Sequence, residues 1–204
     1  MSGSTPAVFL DRDGVLNVYL PGAYVRNGEE LVLLPGVAAA VAELNALDVP
    51  VVLISNQQGV AKGLMTADDL QGLDVLLKER LRDEAGARLD ASYYCPHHAR
   101  ENCACRKPLP GMLLQAAREH GIDLARSVFI GDTVTDAAAA RAAGVGAFVL
   151  VLTGKLRDAA DAADPALFPT SPDYVAATLA DAVPWVRSYL GHSGERVAAP
   201  VVAP

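Results

Sequence analysis

The chain has 204 residues, 51% of them hydrophobic, with a net charge of −7 and a pI near 5.0. A surface of that sign repels phosphate backbones and argues against general nucleic-acid binding. No apolar run approaches the roughly 20 residues that cross a bilayer, and the N-terminal Met-Ser-Gly-Ser-Thr-Pro lacks the basic and apolar pattern of a secretion signal.

These features lead us to expect a cytoplasmic monomer with one domain over residues 1–190 and a disordered tail over 191–204. The three cysteines all lie between residues 95 and 105. An odd number at that density is not a disulfide framework; it suggests a metal site in a reducing compartment.

In chain order, Ala7–Leu10 is an apolar run of strand type that stops at Asp11-Arg12-Asp13-Gly14. A buried parallel strand reads as a continuous apolar run, and open α/β sheets place their chemistry beyond the carboxyl ends of such strands. Residues 15–34 are too short for a separate domain and read as a flap or hairpin. Pro35-Gly36 opens an alanine-rich helix to about Leu47, with proline in its first turn. Val51–Ile54 is a second buried strand, running into Ser55-Asn56-Gln57-Gln58-Gly59.

Thr66-Ala67-Asp68-Asp69 has capping-box form and starts a helix to about Ala85, with Leu70, Leu73, Leu76, Leu77 and Leu81 at helical spacing. Leu89–Tyr94 reads as a third strand. Helices follow over about Pro110–Glu119 and Thr133–Ala143, and strands over Val128–Ile130 and Ala147–Leu152. Tyr174–Leu190 reads as one amphipathic helix. The alternation of strand and helix predicts an α/β fold: a Rossmann-like doubly wound parallel sheet without a large cap domain.

In such a sheet four strand ends converge: Asp11 with Asp13, Ser55 with Asn56, Arg106 with Lys107, and Asp132 with Asp136. Asp11, a backbone carbonyl at Asp13, and Asp132 suit Mg²⁺, a hard cation that takes oxygen ligands. Asp136 is expected behind them, orienting a metal-bound water or Lys107. Cys95-x-His97 and Cys103-x-Cys105 supply three thiolates and an imidazole, a closed tetrahedral Zn²⁺ site of structural type. His98 is the rival ligand; His97 has the better-matched spacing. His120 and His192 read as surface residues. A zinc-braced loop would deliver Arg106 and Lys107 to the sheet edge. Taken singly, the polar strand ends also fit ordinary caps and turns, with Asp132 as a helix N-cap and Asp136 as a first-turn acid.

Leu10-Asp11-Arg12-Asp13-Gly14-Val15, Ile54-Ser55-Asn56, Lys107, and Gly131-Asp132-Thr133-Val134-Thr135-Asp136 together resemble the four motifs of the haloacid dehalogenase (HAD) superfamily, over about residues 6–155. The resemblance implies a Mg²⁺-dependent phosphatase. Asp11 would form an aspartyl-phosphate, Asp13 would act as acid and base, and Ser55 and Lys107 would hold the phosphoryl oxygens.

Cys95-x-His97 with Cys103-x-Cys105-Arg106-Lys107-Pro108 resembles a bacterial subgroup of that superfamily whose members act on a heptose 1,7-bisphosphate or on histidinol phosphate. Asn17, Tyr24-Val25, Leu34-Pro35-Gly36-Val37 and Asn56-Gln57-Gln58-Gly59-Val60 resemble the heptose-acting branch. The implied substrate is a small phosphorylated sugar, losing its 7-phosphate; the alternative is the amino-alcohol phosphate, and a polynucleotide 3′ end is more remote. The implied binding residues are Arg12, Tyr24, Ser55, Asn56, Gln57, Gln58, Arg106 and Lys107.

Overall fold

In a computed structural model that describes residues 4–157, 164 and 166–191, six parallel strands lie in the order β3-β2-β1-β4-β5-β6. They are β1 (Val8–Leu10), β2 (Val51–Asn56), β3 (Ala91–Cys95), β4 (Val128–Gly131), β5 (Ala147–Val151) and β6 (Tyr174–Ala176). β1 pairs on one side with β2, Val8 opposite Val51, and on the other with β4, Val8 opposite Val128. The strand order therefore reverses between β1 and β4. At that point successive crossovers leave on opposite faces and open a crevice at the carboxyl edge.

Strand side chains alternate between the two faces, and the sequence uses this to build two cores. Val8, Leu10, Leu53, Ile130 and Val149 pack beneath helices α1 (Val37–Asn45), α2 (Ala67–Ala85) and α5 (Leu179–Gly191). Phe9, Val52, Ile54, Phe129 and Phe148 face α3 (Gly111–His120) and α4 (Val134–Ala143). Phe129 meets Phe9 and Phe148 edge-on, with ring centroids 6.5 and 6.1 Å apart. Truncating such a fully buried ring to alanine costs about 3–5 kcal/mol.

Helix α2 has the capping box read from its sequence. Asp69 N–H donates to Thr66 Oγ1, and Asp69 Oδ2 accepts from the Thr66 N–H. At α1 the cap is Gly36, at φ 74°, so Pro35 precedes the helix rather than entering its first turn.

The expected flap is a hairpin-like excursion. Asn17 bridges Leu33 antiparallel, and the Val18 amide donates to the Val32 carbonyl at 2.8 Å. Arg80 on α2 donates to the carbonyls of Gly28 and Leu31 and holds the base of the excursion down.

One reading of the chain is corrected. Tyr174–Leu190 is not a single helix, because Tyr174–Ala176 extends the sheet as β6, with Val175 opposite Leu150. A new capping turn, in which the Thr178 hydroxyl donates to Asp181 Oδ2 at 2.7 Å, then starts α5. A three-residue strand is too short to show its period of two, so tertiary pairing decided the matter. The tail 192–204, with His192, lies outside the described residues. Among the described residues no helix is long and apolar enough to cross a membrane.

Candidate active site

The carboxyl edge of the sheet collects its side chains because the parallel strands β1, β2 and β4 are adjacent and all end at that edge. Asp11 follows β1, and its amide donates to the Ile130 carbonyl at 3.0 Å. The turn that carries Asp13 then closes on itself. The amides of Leu16 and Asn17 donate to the Arg12 carbonyl at 2.8 and 3.1 Å, and Gly14 takes φ 87°, which an L side chain resists.

Lys107 lies at the centre of the site. Its Nζ stands 2.9 Å from Asp11 Oδ1 and 2.6 Å from Asp136 Oδ1, and donates to the Ile54 carbonyl at 2.9 Å. Burial works against its charge, but the two facing carboxylates outweigh burial and push the ammonium's pKa above its ordinary value.

Each of Asp11, Asp132 and Asp136 offers a carboxylate oxygen within 4.8 Å of the others, all buried. Burial pushes Asp11 up to about 6; Asp136 and Asp13 add to the rise and Lys107 opposes it. Burial, reinforced by Asp136 and Asp11, pushes Asp132 up to about 8. Asp132 Oδ1 is buried with no hydrogen-bond partner. Three carboxylates gathered around one ammonium leave a local excess of negative charge, and an orphaned acceptor is costly in a dry site. A divalent cation with oxygen ligands removes both penalties, so these residues fit one.

Asp13 is turned away from that cluster. Arg12 Nη2 reaches its two oxygens at 3.2 and 3.1 Å, Asn17 Nδ2 donates at 2.9 Å and Gln57 Nε2 at 2.7 Å. Burial raises this carboxyl, but the guanidinium and the two amides more than offset it and hold it below its ordinary value. The arrangement can thus present two acids of opposite bias two residues apart, one easily protonated and one held ionised.

A cavity of about 350 Å³ opens over these groups. Its wall includes Asp11, Asp13, Tyr24, Ser55, Asn56, Arg106, Lys107, Asp132 and Asp136. Three of the sequence-predicted substrate contacts are placed elsewhere. Arg12 is fully buried and engaged with Asp13. Gln57 is fully buried and donates to Ser55 Oγ at 3.1 Å as well as to Asp13. Gln58 turns the other way and accepts from the Ala99 amide at 3.1 Å. Extended backbone sends alternate side chains to opposite sides, so Ser55 and Gln57 face the acids while Asn56 and Gln58 face the cysteine loop.

At α4 the alternative of Asp132 as a helix cap is excluded, while Asp136 is the first-turn acid. The N-cap is Thr133, not Asp132: the Thr133 N–H and hydroxyl both donate to Asp136 Oδ2, at 3.1 and 2.5 Å. The Thr-x-x-Asp spacing carries the capping-box signal. It frees Asp132 for the cavity and leaves Asp136 Oδ1 for Lys107. Tyr19, Leu20, Lys62 and Lys155 also line the cavity, though no local motif marked them, and so does Thr135 of the fourth motif.

A second cluster sits beside the first. Cys95 Sγ lies 3.5 Å from Cys103 Sγ and 3.2 Å from Cys105 Sγ, and His97 Nδ1 is 3.2 Å from Cys105 Sγ. Ligands about 2.3 Å from a tetrahedral centre are themselves separated by roughly 3.8 Å, so the four atoms fit one metal ion. Burial, with the neighbouring Cys105, pushes the Cys95 thiol up to about 12, a penalty that a bound cation reverses. His98, the rival ligand, instead accepts from the Arg100 amide at 3.1 Å and caps the turn Ala99–Glu101.

A doubly wound parallel sheet places its chemistry at the carboxyl edge, and the groups gathered at that edge here suit phosphoryl transfer. The chain belongs to the haloacid dehalogenase-like hydrolase family, whose model matches residues 14–141.

Among its relatives, a D-glycero-beta-D-manno-heptose-1,7-bisphosphate 7-phosphatase of Yersinia pestis is 44% identical over 162 residues, 76% of this chain and 85% of that protein. A D-glycero-D-manno-heptose-1,7-bisphosphate 7-phosphatase of Thermosynechococcus vestitus is 42% identical over 202 residues, 91% of this chain and 97% of that protein. The crystal structure of D,D-heptose 1,7-bisphosphate phosphatase from B. bronchiseptica, complexed with magnesium and phosphate, has a TM-score of 0.80 at 36% identity, covering 90% of this chain and 99% of that one.

Proposed function

We propose that the chain removes the 7-phosphate from D-glycero-D-manno-heptose 1,7-bisphosphate, as a single catalytic domain over residues 1–190. The observation that carries this reading is the cluster of Asp11, Asp132 and Asp136 around Lys107 at the cavity floor, with Asp13 held apart two residues on. The relatives' activity supports heptose over histidinol phosphate. So does the charge of the wall, where Lys62, Arg106 and Lys155 can meet a second phosphate while Lys107 meets the first.

Asp11 and Asp132, with the backbone at Asp13, would hold Mg²⁺, which supplies charge neutralisation at the phosphoryl oxygens, while Asp136 stands behind them on Lys107 and Thr133. Among the described residues no donor reaches Asp11 Oδ2, while Oδ1 accepts from the Arg12 amide and Lys107. Oδ2 is therefore the oxygen that attacks phosphorus in line. The Asp11–phosphorus bond forms as the bond from phosphorus to the sugar C7 oxygen breaks.

Asp13 gives its proton to that leaving oxygen. The resting carboxyl is held ionised by Arg12, Asn17 and Gln57, so the proton arrives as the phosphate dianion enters and raises Asp13 by like-charge repulsion. In the second half Asp13 takes a proton from water. The water oxygen bonds to phosphorus, the Asp11–phosphorus bond breaks, and phosphate leaves. Ser55 and Lys107 hold the phosphoryl oxygens. Zn²⁺ on Cys95, His97, Cys103 and Cys105 would brace the loop that carries Arg106 and Lys107.

Purified protein with Mg²⁺ should turn over heptose 1,7-bisphosphate with the higher kcat/KM when histidinol phosphate is assayed under the same conditions. A large excess for histidinol phosphate would overturn the substrate assignment.

A further inference from the structure

The loop after β5 carries no motif, yet it grips one of the clustered carboxylates. The Lys155 amide donates to Asp132 Oδ2 at 2.7 Å, while Oδ1 of the same group is buried and unpartnered. A Cβ at Gly154 would lie 2.0 Å from Asp132 Oδ2 and 2.5 Å from its carboxyl carbon. Gly154 does not occupy the left-handed region, so close approach alone calls for glycine there. A Cβ at Gly14 would lie 2.5 Å from the same oxygen and 2.6 Å from Gly154 Cα. The Thr153 hydroxyl donates to the Gly14 carbonyl at 2.6 Å and ties the two loops together. Backbone from the turns after β1 and β5 thus closes on a carboxylate at the end of β4.

We propose that Thr153-Gly154-Lys155 is a positioning segment for the cation site, engaging Oδ2 of Asp132 through the Lys155 amide and leaving Oδ1 free for the ion. The inference rests on the Mg²⁺ reading above and adds residues to it. A carboxylate with both oxygens free can rotate or bind through either or both. Here one oxygen is committed to an N–H, so the other is pre-aimed and its rotational freedom is already lost before the cation arrives. Mg²⁺ demands near-ideal octahedral geometry and gains from a donor fixed in this way. The short approach needs both glycines: a methyl group at residue 154 would displace the carboxylate it packs against.

The test is titration calorimetry with Mg²⁺ on the zinc-loaded full chain dialysed free of Mg²⁺, together with the Mg²⁺-free melting temperature and the Mg²⁺ dependence of turnover. Gly154→Ala should bind Mg²⁺ about tenfold more weakly or worse, with a Mg²⁺-free melting temperature near that of the wild type, and excess Mg²⁺ should restore most of kcat. Lys155→Ala keeps the amide and should keep the Mg²⁺ affinity. An equal loss in Lys155→Ala would assign the effect to the ammonium and overturn the proposal. Folded Gly154→Ala with wild-type affinity would also overturn it. If Gly154→Ala does not fold, Thr153→Val decides: about a threefold loss of affinity supports the clasp, and no loss refutes it. Failure of the wild type to bind Mg²⁺ would remove the cation reading itself and this inference with it.

Discussion

Asn56 and Lys107 are joined by two reciprocal hydrogen bonds: the Asn56 side-chain amide donates to the Lys107 carbonyl and accepts from the Lys107 amide, each at 3.0 Å. The end of β2 is thereby locked to the residue that follows the cysteine loop, 51 positions away. The ammonium that faces Asp11 and Asp136 is placed by this pair as much as by its own contacts.

Asn56→Ala removes both bonds. Each is worth about 1 kcal/mol net, and the larger consequence is a freer Lys107. Turnover should fall by about tenfold or more, and the melting temperature by a few degrees. Steady-state kinetics and thermal unfolding check this; unchanged kcat would mean that Lys107 is held by its carboxylates alone.

Asp11→Asn should lower turnover by at least about a thousandfold, because the attacking oxygen is gone. Its stability runs the other way. Burial lifts Asp11 to about 6 in the folded chain, so the folded state binds more protons than the unfolded one between the usual carboxylate range and pH 6. That contribution is present at low pH and lost as pH rises through 6. Asparagine never ionises and escapes the loss. In metal-free buffer at pH 7.5 the variant should therefore melt no lower than the wild type, with its advantage shrinking toward pH 4. A variant that melts lower at pH 7.5 would contradict the sign.

Gln57→Leu removes a donor at 2.7 Å from Asp13 Oδ2. Asp13 is held below its ordinary value against burial by Arg12, Asn17 and Gln57, so losing one donor raises it. Less of the base form exists at a given acidic pH, and the acid limb of the kcat profile should move up by roughly one pH unit. A superimposable profile would show that Gln57 packs beside Asp13 without tuning it.

Cys103→Ser should lower bound zinc, measured by elemental analysis, and raise hydrogen exchange across residues 95–108. Turnover should also fall, by about tenfold, because Lys107 loses its support. If the wild type holds no zinc, or the variant keeps both protection and turnover, the brace has no such role.

The two acids of the first turn, the capped second helix and the cysteine loop were legible because each is a local pattern. An apolar run ending in Asp11-Arg12-Asp13-Gly14, Thr66 three residues before Asp69, and paired Cys-x-His and Cys-x-Cys spacings all carry their physics within a dozen residues. Tyr174–Ala176 was not legible as a strand, because three residues fit helix or sheet equally and β5 made the choice.

The amino-acid sequence by itself determined the alternation that builds the parallel sheet, and hence which strand ends could meet at its carboxyl edge. Only the tertiary structure decided which way each polar side chain turns there. Arg12 and Gln57 point inward to Asp13, Thr133 rather than Asp132 caps α4, and the Lys155 amide holds a carboxylate 23 positions away. The reason is physical. Element type follows from short-range periodicity, whereas the aim of a buried polar group follows from whichever distant donor or acceptor satisfies it.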